Sequence, residues 1–150
     1  MDAPIMSSRS AEGGREPGEL LGNLWQLLHG VLEDASPALD AMGVSVKAYF
    51  VLKAVEQHPF PAELARELML PPPTVTYLIK QLEELGMVER RTEPGDLRKF
   101  RLVLSSVGKV AEGTGTRAMD AALAARLERI SPSERAALET IVRRLVAHGV

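Results

Sequence analysis

Cysteine is absent from this 150-residue chain, and histidine is nearly so, with only His29, His58 and His148 far apart along it. Without a thiol there is no disulfide, thiolate metal site, cysteine nucleophile or thiol redox switch. Three scattered histidines argue against a His-rich metal site, and neither a metal nor a cofactor is expected. Long apolar runs are missing too; none approaches the roughly 20 residues that span a bilayer. The opening segment MDAPIMSSRSAEGGRE lacks the apolar stretch of a secretory signal. A cytoplasmic chain with no membrane partner is expected, and residues 1–17 read as a disordered tail with little to bury. Charge of one sign is also lacking: 18 Lys and Arg face 20 Asp and Glu, a formal net charge of −2. That balance argues against coating nucleic acid through bulk charge, but leaves room for a local basic patch. Finally, no Ser-His-Asp spacing, phosphate-cradling glycine loop or metal motif is present, and most carboxylates fall on helix exteriors. No enzymatic activity is expected.

What is there is an ordinary globular composition, 45% hydrophobic and 25% charged. A chain of this length makes one domain and can bury a core without metal or disulfide. The periodicity predicts a first helix from Glu19 to Ala35, with Leu20, Leu24, Leu27, Leu28 and Val31 at helical spacing. Leu21, Trp25 and Leu32 widen its apolar face, and Pro37 interrupts it. A second helix, Ser45 to Gln57, starts on Ser45 as N-cap and places Tyr49, Leu52 and Val55 on one face. His58 to Pro61 is a turn.

A short third helix, Pro61 to Met69, buries Leu64, Ala65 and Leu68 and is stopped by Pro71-Pro72-Pro73. A fourth, Pro72 to Leu85, points Val75, Leu78, Ile79, Leu82 and Leu85 inward and ends on Gly86. The period then changes. Met87 to Thr92 and Lys99 to Leu104 read as two strands, with Phe100, Leu102 and Leu104 alternating with Lys99, Arg101 and Val103. Glu93 to Arg98 forms a long turn at the tip. A further helix starts at Ser105 or Ser106 and runs towards Ile130, weakened at Gly113 and Gly115. Ser131-Pro132-Ser133-Glu134 is a capping-box start for the last helix, striped by Leu138, Ile141, Val142 and Leu145. The fold class is mainly α with a small β-hairpin.

Helix, turn, helix and then a two-stranded wing is an order that serves DNA. The second helix of such a motif enters the major groove, and its N-terminus offers N–H groups and positive dipole to a phosphate. Pro72 opens that helix. Thr74 and Thr76 carry hydroxyls and methyls suited to phosphates and thymine, while Tyr77 and Lys80 reach backbone or base. The plain alternative is a solvated helix face. The hairpin strengthens the DNA reading, because Arg90, Arg91, Arg98, Lys99 and Arg101 outnumber Glu89, Glu93 and Asp96 there. An arginine at the tip suits the narrow minor groove. Asp96, two residues earlier, is placed to hold the Arg98 guanidinium. The candidate DNA-binding residues are Pro72, Thr74, Thr76, Tyr77, Lys80, Arg91, Arg98 and Lys99, with Asp96 positioning the wing.

From Leu20 to the C-terminus the sequence resembles the multiple antibiotic resistance regulator (MarR) family. The resemblance rests on Leu64-Ala65-Arg66-Glu67-Leu68 through Thr74-Val75-Thr76, and on Leu82-Glu83-Glu84-Leu85-Gly86-Met87-Val88-Glu89-Arg90. Asp96-Leu97-Arg98 matches the family's Asp-x-Arg wing signature, and Leu102-Val103-Leu104-Ser105 its lead into the next helix. The resemblance implies a homodimer intertwined through residues 18–44 and 105–150, with residues 45–104 as the winged helix-turn-helix. It implies double-stranded DNA with a pseudo-palindromic operator as partner, and repression relieved by a small aromatic effector. It also implies a ligand cleft near Trp25, His29, Tyr49 and Phe50, which otherwise read as core aromatics. The lack of cysteine excludes the thiol-based peroxide sensors of the family. Departures are Leu97, where a polar or basic residue is usual, Pro71 and Pro72 in place of a side-chain N-cap, and Tyr77 in place of arginine or asparagine. The acidic balance and Leu97 favour a rival reading, a winged-helix protein-interaction module that has lost DNA binding.

Overall fold

A computed structural model describes residues 16–147. Six helices and one hairpin follow in the order α1 (Pro17–Asp40), α2 (Val46–Ala54), α3 (Pro61–Glu67), α4 (Pro72–Glu84), β1 (Val88–Glu93), β2 (Asp96–Leu104), α5 (Ser106–Leu127) and α6 (Pro132–Val146). The tail expected at residues 1–17 lies outside the described residues except for its last two, and Pro17 already begins α1. Among the described residues no helix is long and apolar enough to cross a membrane.

The local starts follow the side chains. Ser45 caps α2 by accepting the Ala48 N–H at 3.1 Å. Ser131 and Glu134 form a reciprocal capping box on α6, with Pro132 in the first turn. Ser105 accepts the Gly108 N–H at 3.0 Å to open α5, and donates its hydroxyl proton to the Gly86 carbonyl. That one side chain fastens the end of α4 to the start of α5.

The core lies inside the helix-turn-helix and under the hairpin. Leu52, Leu64, Val75, Ile79, Leu82 and Leu102 are essentially inaccessible to solvent, and Leu39 from α1 and Ala111 from α5 complete the same cluster. β1 and β2 pair antiparallel, with Val88 opposite Leu104 and Thr92 opposite Phe100. The alternation expected in β2 is present: Leu102 and Leu104 are buried and Lys99 and Arg101 are exposed.

Several expectations are corrected. Pro37 does not end α1; the helix continues to Asp40, and Ala41 still donates to the Pro37 carbonyl at 3.1 Å. Proline forfeits one backbone bond in the preceding turn, but stopping there would pull Leu39 out of the core. α3 ends at Glu67, before the prolines, where Met69 takes a left-handed φ of 51°. Leu85, expected to point inward, is exposed and caps α4 just beyond Glu84. The hairpin tip is only Pro94-Gly95, closed by a Glu93–Asp96 pair beyond an irregularity at Thr92/Glu93, with Gly95 at φ 91°. Glu93, Asp96, Leu97 and Arg98, expected within a long loop, are thus strand.

The glycines of α5 are also more than weak points. A Cβ on Gly115 would lie 2.5 Å from the Tyr49 ring, and one on Gly108 would collide with the Met87 carbonyl. They let α5 lie directly against the helix-turn-helix. Tyr49 itself is buried; the Thr116 hydroxyl donates to Glu112 at 2.9 Å, leaving Tyr49 as donor to Thr116 at 2.8 Å. The buried phenol is therefore satisfied.

The outer helices look different. Leu20, Leu21, Leu24, Trp25, Leu27 and Leu28 of α1 are exposed, as are Ile141, Val142, Leu145 and Val146 of α6. No residue of α6 is buried.

Candidate nucleic-acid interface

α4 presents an outward face to solvent because Val75, Leu78, Ile79 and Leu82 take the inward one. Pro72, Thr76, Tyr77 and Lys80 are exposed and Thr74 is half-buried. Thr76 donates its hydroxyl proton to the Pro72 carbonyl at 3.1 Å, so it faces outward as an acceptor and a methyl. The Tyr77 oxygen accepts from Gln81 Nε2 at 3.0 Å, which leaves the phenolic O–H free to donate.

The helix N-terminus behaves otherwise than expected. Pro71 is the N-cap, with no side-chain cap, and Pro72 and Pro73 have no N–H. The next N–H, on Thr74, is spent on the Pro71 carbonyl at 3.0 Å. The first turn of α4 therefore offers no free backbone donor to a phosphate, only its dipole. Side chains must supply any phosphate contacts in this region.

The wing is tied to the motif at its base. Leu102 donates its N–H to the Pro59 carbonyl at 2.8 Å, and Arg90 Nε lies 2.7 Å from Glu83 of α4 with its guanidinium 4.5 Å over the Phe100 ring. Arg101 Nε lies 3.2 Å from Glu93 and 5.8 Å separates its guanidinium from the Phe60 ring. Arg91 reaches Glu89 only at 3.9 Å, with both side chains exposed. Of the wing cations, Arg98 and Lys99 alone have no ion-pair partner among the described residues. The carboxylate of Asp96 accepts the backbone N–H of Arg98 at 3.0 Å. It shapes the turn and does not hold the guanidinium, because a carboxylate two residues ahead meets the local backbone first.

A residue not singled out from the sequence joins this cluster. Arg66 of α3 lines one cleft of about 510 Å³ together with Arg98, Lys99, Phe60 and Phe100. The signal was an outward cation between the buried Ala65 and the inward Leu68, on the helix that crosses the DNA backbone in such motifs.

The four aromatic candidates form two separate pairs. Trp25 and His29 stack with ring centroids 4.0 Å apart on the exposed half of α1. Tyr49 and Phe50 lie 5.2 Å apart, Tyr49 within the core and Phe50 in a shallow cleft with His58 and Glu67.

Comparison with known proteins agrees with this architecture. The MarR family model matches residues 42–99. No curated protein matches the chain. CouR from Rhodococcus jostii, solved bound to p-coumaroyl-CoA, is 22% identical with a TM-score of 0.73, covering 91% of this chain and 99% of that one. A MarR family protein from Mycobacterium tuberculosis solved with DNA is 21% identical with a TM-score of 0.71, over 89% and 100% of the two chains. The same protein solved with salicylic acid is 22% identical with a TM-score of 0.69, over 88% and 97%. The family match spans the helix-turn-helix and most of the wing, and the winged helix fold is shared with these MarR family structures along nearly the whole chain.

Proposed function

We propose that the chain is a homodimeric, sequence-specific DNA-binding transcriptional regulator, a repressor released by a small-molecule effector. The observation that carries this reading is the separation of the wing cations into paired and unpaired. Arg98 and Lys99 stand without carboxylate partners beside Arg66, while Arg90 and Arg101 are held internally. Cations that need not abandon a partner are the ones that gain from a phosphate.

In this reading Thr74, Thr76, Tyr77 and Lys80 of α4, following Pro72, meet the major groove, and Arg98 at the wing meets the minor groove or its phosphates. Lys99 and the weakly paired Arg91 add backbone contacts. Dimerisation is supported by the exposed apolar faces of α1 and α6, which are larger than scattered surface residues require. An aromatic effector is supported by the salicylic acid and p-coumaroyl-CoA carried by similar proteins.

The test is fluorescence anisotropy with genomic fragments at moderate salt, followed by footprinting of the bound fragment. A protected pseudo-palindrome is expected. Absence of any fragment bound above random duplex would favour the protein-interaction module instead.

A further inference from the structure

We propose that Gln81 is a specificity-determining residue that acts through Tyr77: it fixes the hydrogen-bonding polarity of the phenol, so that Tyr77 selects a keto over an amino group in the major groove. The inference rests on the DNA-binding reading above and names what one base of the duplex must present. Tyr77 is 60% exposed on the outward face of α4, and Gln81 stands half-buried one helical turn further on. Gln81 Nε2 donates to the Tyr77 oxygen at 3.0 Å. A phenol hydroxyl both donates and accepts. With its accepting side taken by Gln81, Tyr77 meets a base as a donor alone.

The surroundings throw this task onto Tyr77. Pro72 and Pro73 carry no N–H, and the Thr74 N–H is turned back to the Pro71 carbonyl, so the first turn of α4 supplies no backbone donor. The Thr76 hydroxyl proton is spent on the Pro72 carbonyl, which leaves that side chain an acceptor and a methyl. Lys80 is a donor too, but a flexible one whose charge any phosphate satisfies. Tyr77 is neutral and held by its partner, so its donor discriminates. On the major-groove edge guanine and thymine present keto oxygens, whereas adenine and cytosine present amino groups. A donor-only phenol bonds to the keto oxygen and meets hydrogen with hydrogen at the amino group.

Selection from randomised duplexes by the full chain, followed by anisotropy on duplexes varied at one base, tests this. The informative base is the one whose preference Tyr77→Phe abolishes. There the unaltered chain is expected to favour G or T over A or C by about fivefold, the worth of one hydrogen bond. Gln81→Glu turns the pairing round. A carboxylate only accepts, so it takes the Tyr77 proton and leaves the phenol oxygen to accept from the base. This variant is expected to favour A or C over G or T at the same position. Its added negative charge weakens all duplexes alike and cancels in the ratio. A packing role for Gln81 cannot invert a base preference. If circular dichroism shows that Gln81→Glu does not fold, Gln81→Ala decides. Its freed phenol donates and accepts, so the ratio is expected to fall to about one, and a ratio kept at the unaltered value would overturn the inference. A Tyr77→Phe chain that keeps every base preference, or a Gln81→Glu ratio that does not cross to the amino side, would overturn it too while leaving the regulator reading in place. A chain that enriches no duplex at all sinks both.

Discussion

Arg98 and Arg101 are close neighbours on one strand and carry the same charge, yet they differ in what DNA binding asks of them. Arg98 has no ion-pair partner among the described residues. Arg101 lies 3.2 Å from Glu93 and must give that contact up to meet a phosphate. Each phosphate neutralised on duplex DNA contributes about 0.9 to the slope of log affinity against log salt. A dimer presents two wings, so Arg98→Ala removes two contacts and lowers the slope by about 1.8. Between about 50 and about 200 mM salt, the affinity gap between parent and variant then narrows by about one decade. Arg101→Ala is expected to leave the slope unchanged, because its charge is already matched. Anisotropy titrations at four salt concentrations on one footprinted fragment measure both. Equal flattening by the two variants would show that the wing acts through summed charge, and the pairing argument would fail. An unchanged slope for Arg98→Ala would take the wing off the duplex altogether.

Two glycines two residues apart in α5, and so on different faces of it, offer a matched stability test. Gly115→Ala places a Cβ 2.5 Å from the Tyr49 ring and is expected to cost about 1–2 kcal/mol by urea unfolding, after allowing for alanine's better helix propensity. Gly113→Ala meets only the end of Arg117 at 3.5 Å and is expected to stabilise by about 0.5–1 kcal/mol; destabilisation at both sites would refute the contrast between the open and the crowded position. Ser131→Ala removes the hydroxyl that accepts the Glu134 N–H, leaving the backbone N–H of residue 131 to donate to the Glu134 carboxylate, and is expected to lower thermal stability by about 1 kcal/mol, with no change refuting the cap's importance. Ile141→Asp sits on an exposed face of the single chain, where it would cost at most about 0.5 kcal/mol. Light scattering is expected to show a shift from dimer to monomer, and a dimer that survives would move the interface off α6.

The legible parts of this fold were those carried by neighbours in the chain. Ser45, Ser131 and Glu134 cap helices through side chains that reach three residues along, so spacing alone reveals them. The same holds for β2, where alternation is a property of successive residues. The misread parts depend on partners distant in sequence. Pro37 looked like a stop because the gain from seating Leu39 against the core is not visible locally. Gly115 looked like a weak point because Tyr49 is 66 positions away in the chain. The basic wing was legible as composition, but Glu83 lies outside it, so the neutralisation of Arg90 was not. The run of three prolines at residues 71–73 was read for its effect on chain direction, and its removal of backbone donors emerges only once α4 is seen to start at Pro72.

The contacts between α5 and the helix-turn-helix bear on how a regulator of this build would respond to an effector. Gly108 against the Met87 carbonyl and Gly115 against Tyr49 leave no room for α5 to slide without a collision of backbone or ring. Ser105 adds bonds to both α4's end and α5's start, and Leu39 of α1 reaches the same Tyr49–Gly115 contact. The Leu39 end of α1 and the Gly108–Gly115 stretch of α5 therefore pack with the winged helix lobe as one body. In the proposed dimer, the distance between the two recognition helices is then set where one copy meets the other, at the exposed faces of α1 and α6, since the junction within each chain is closed.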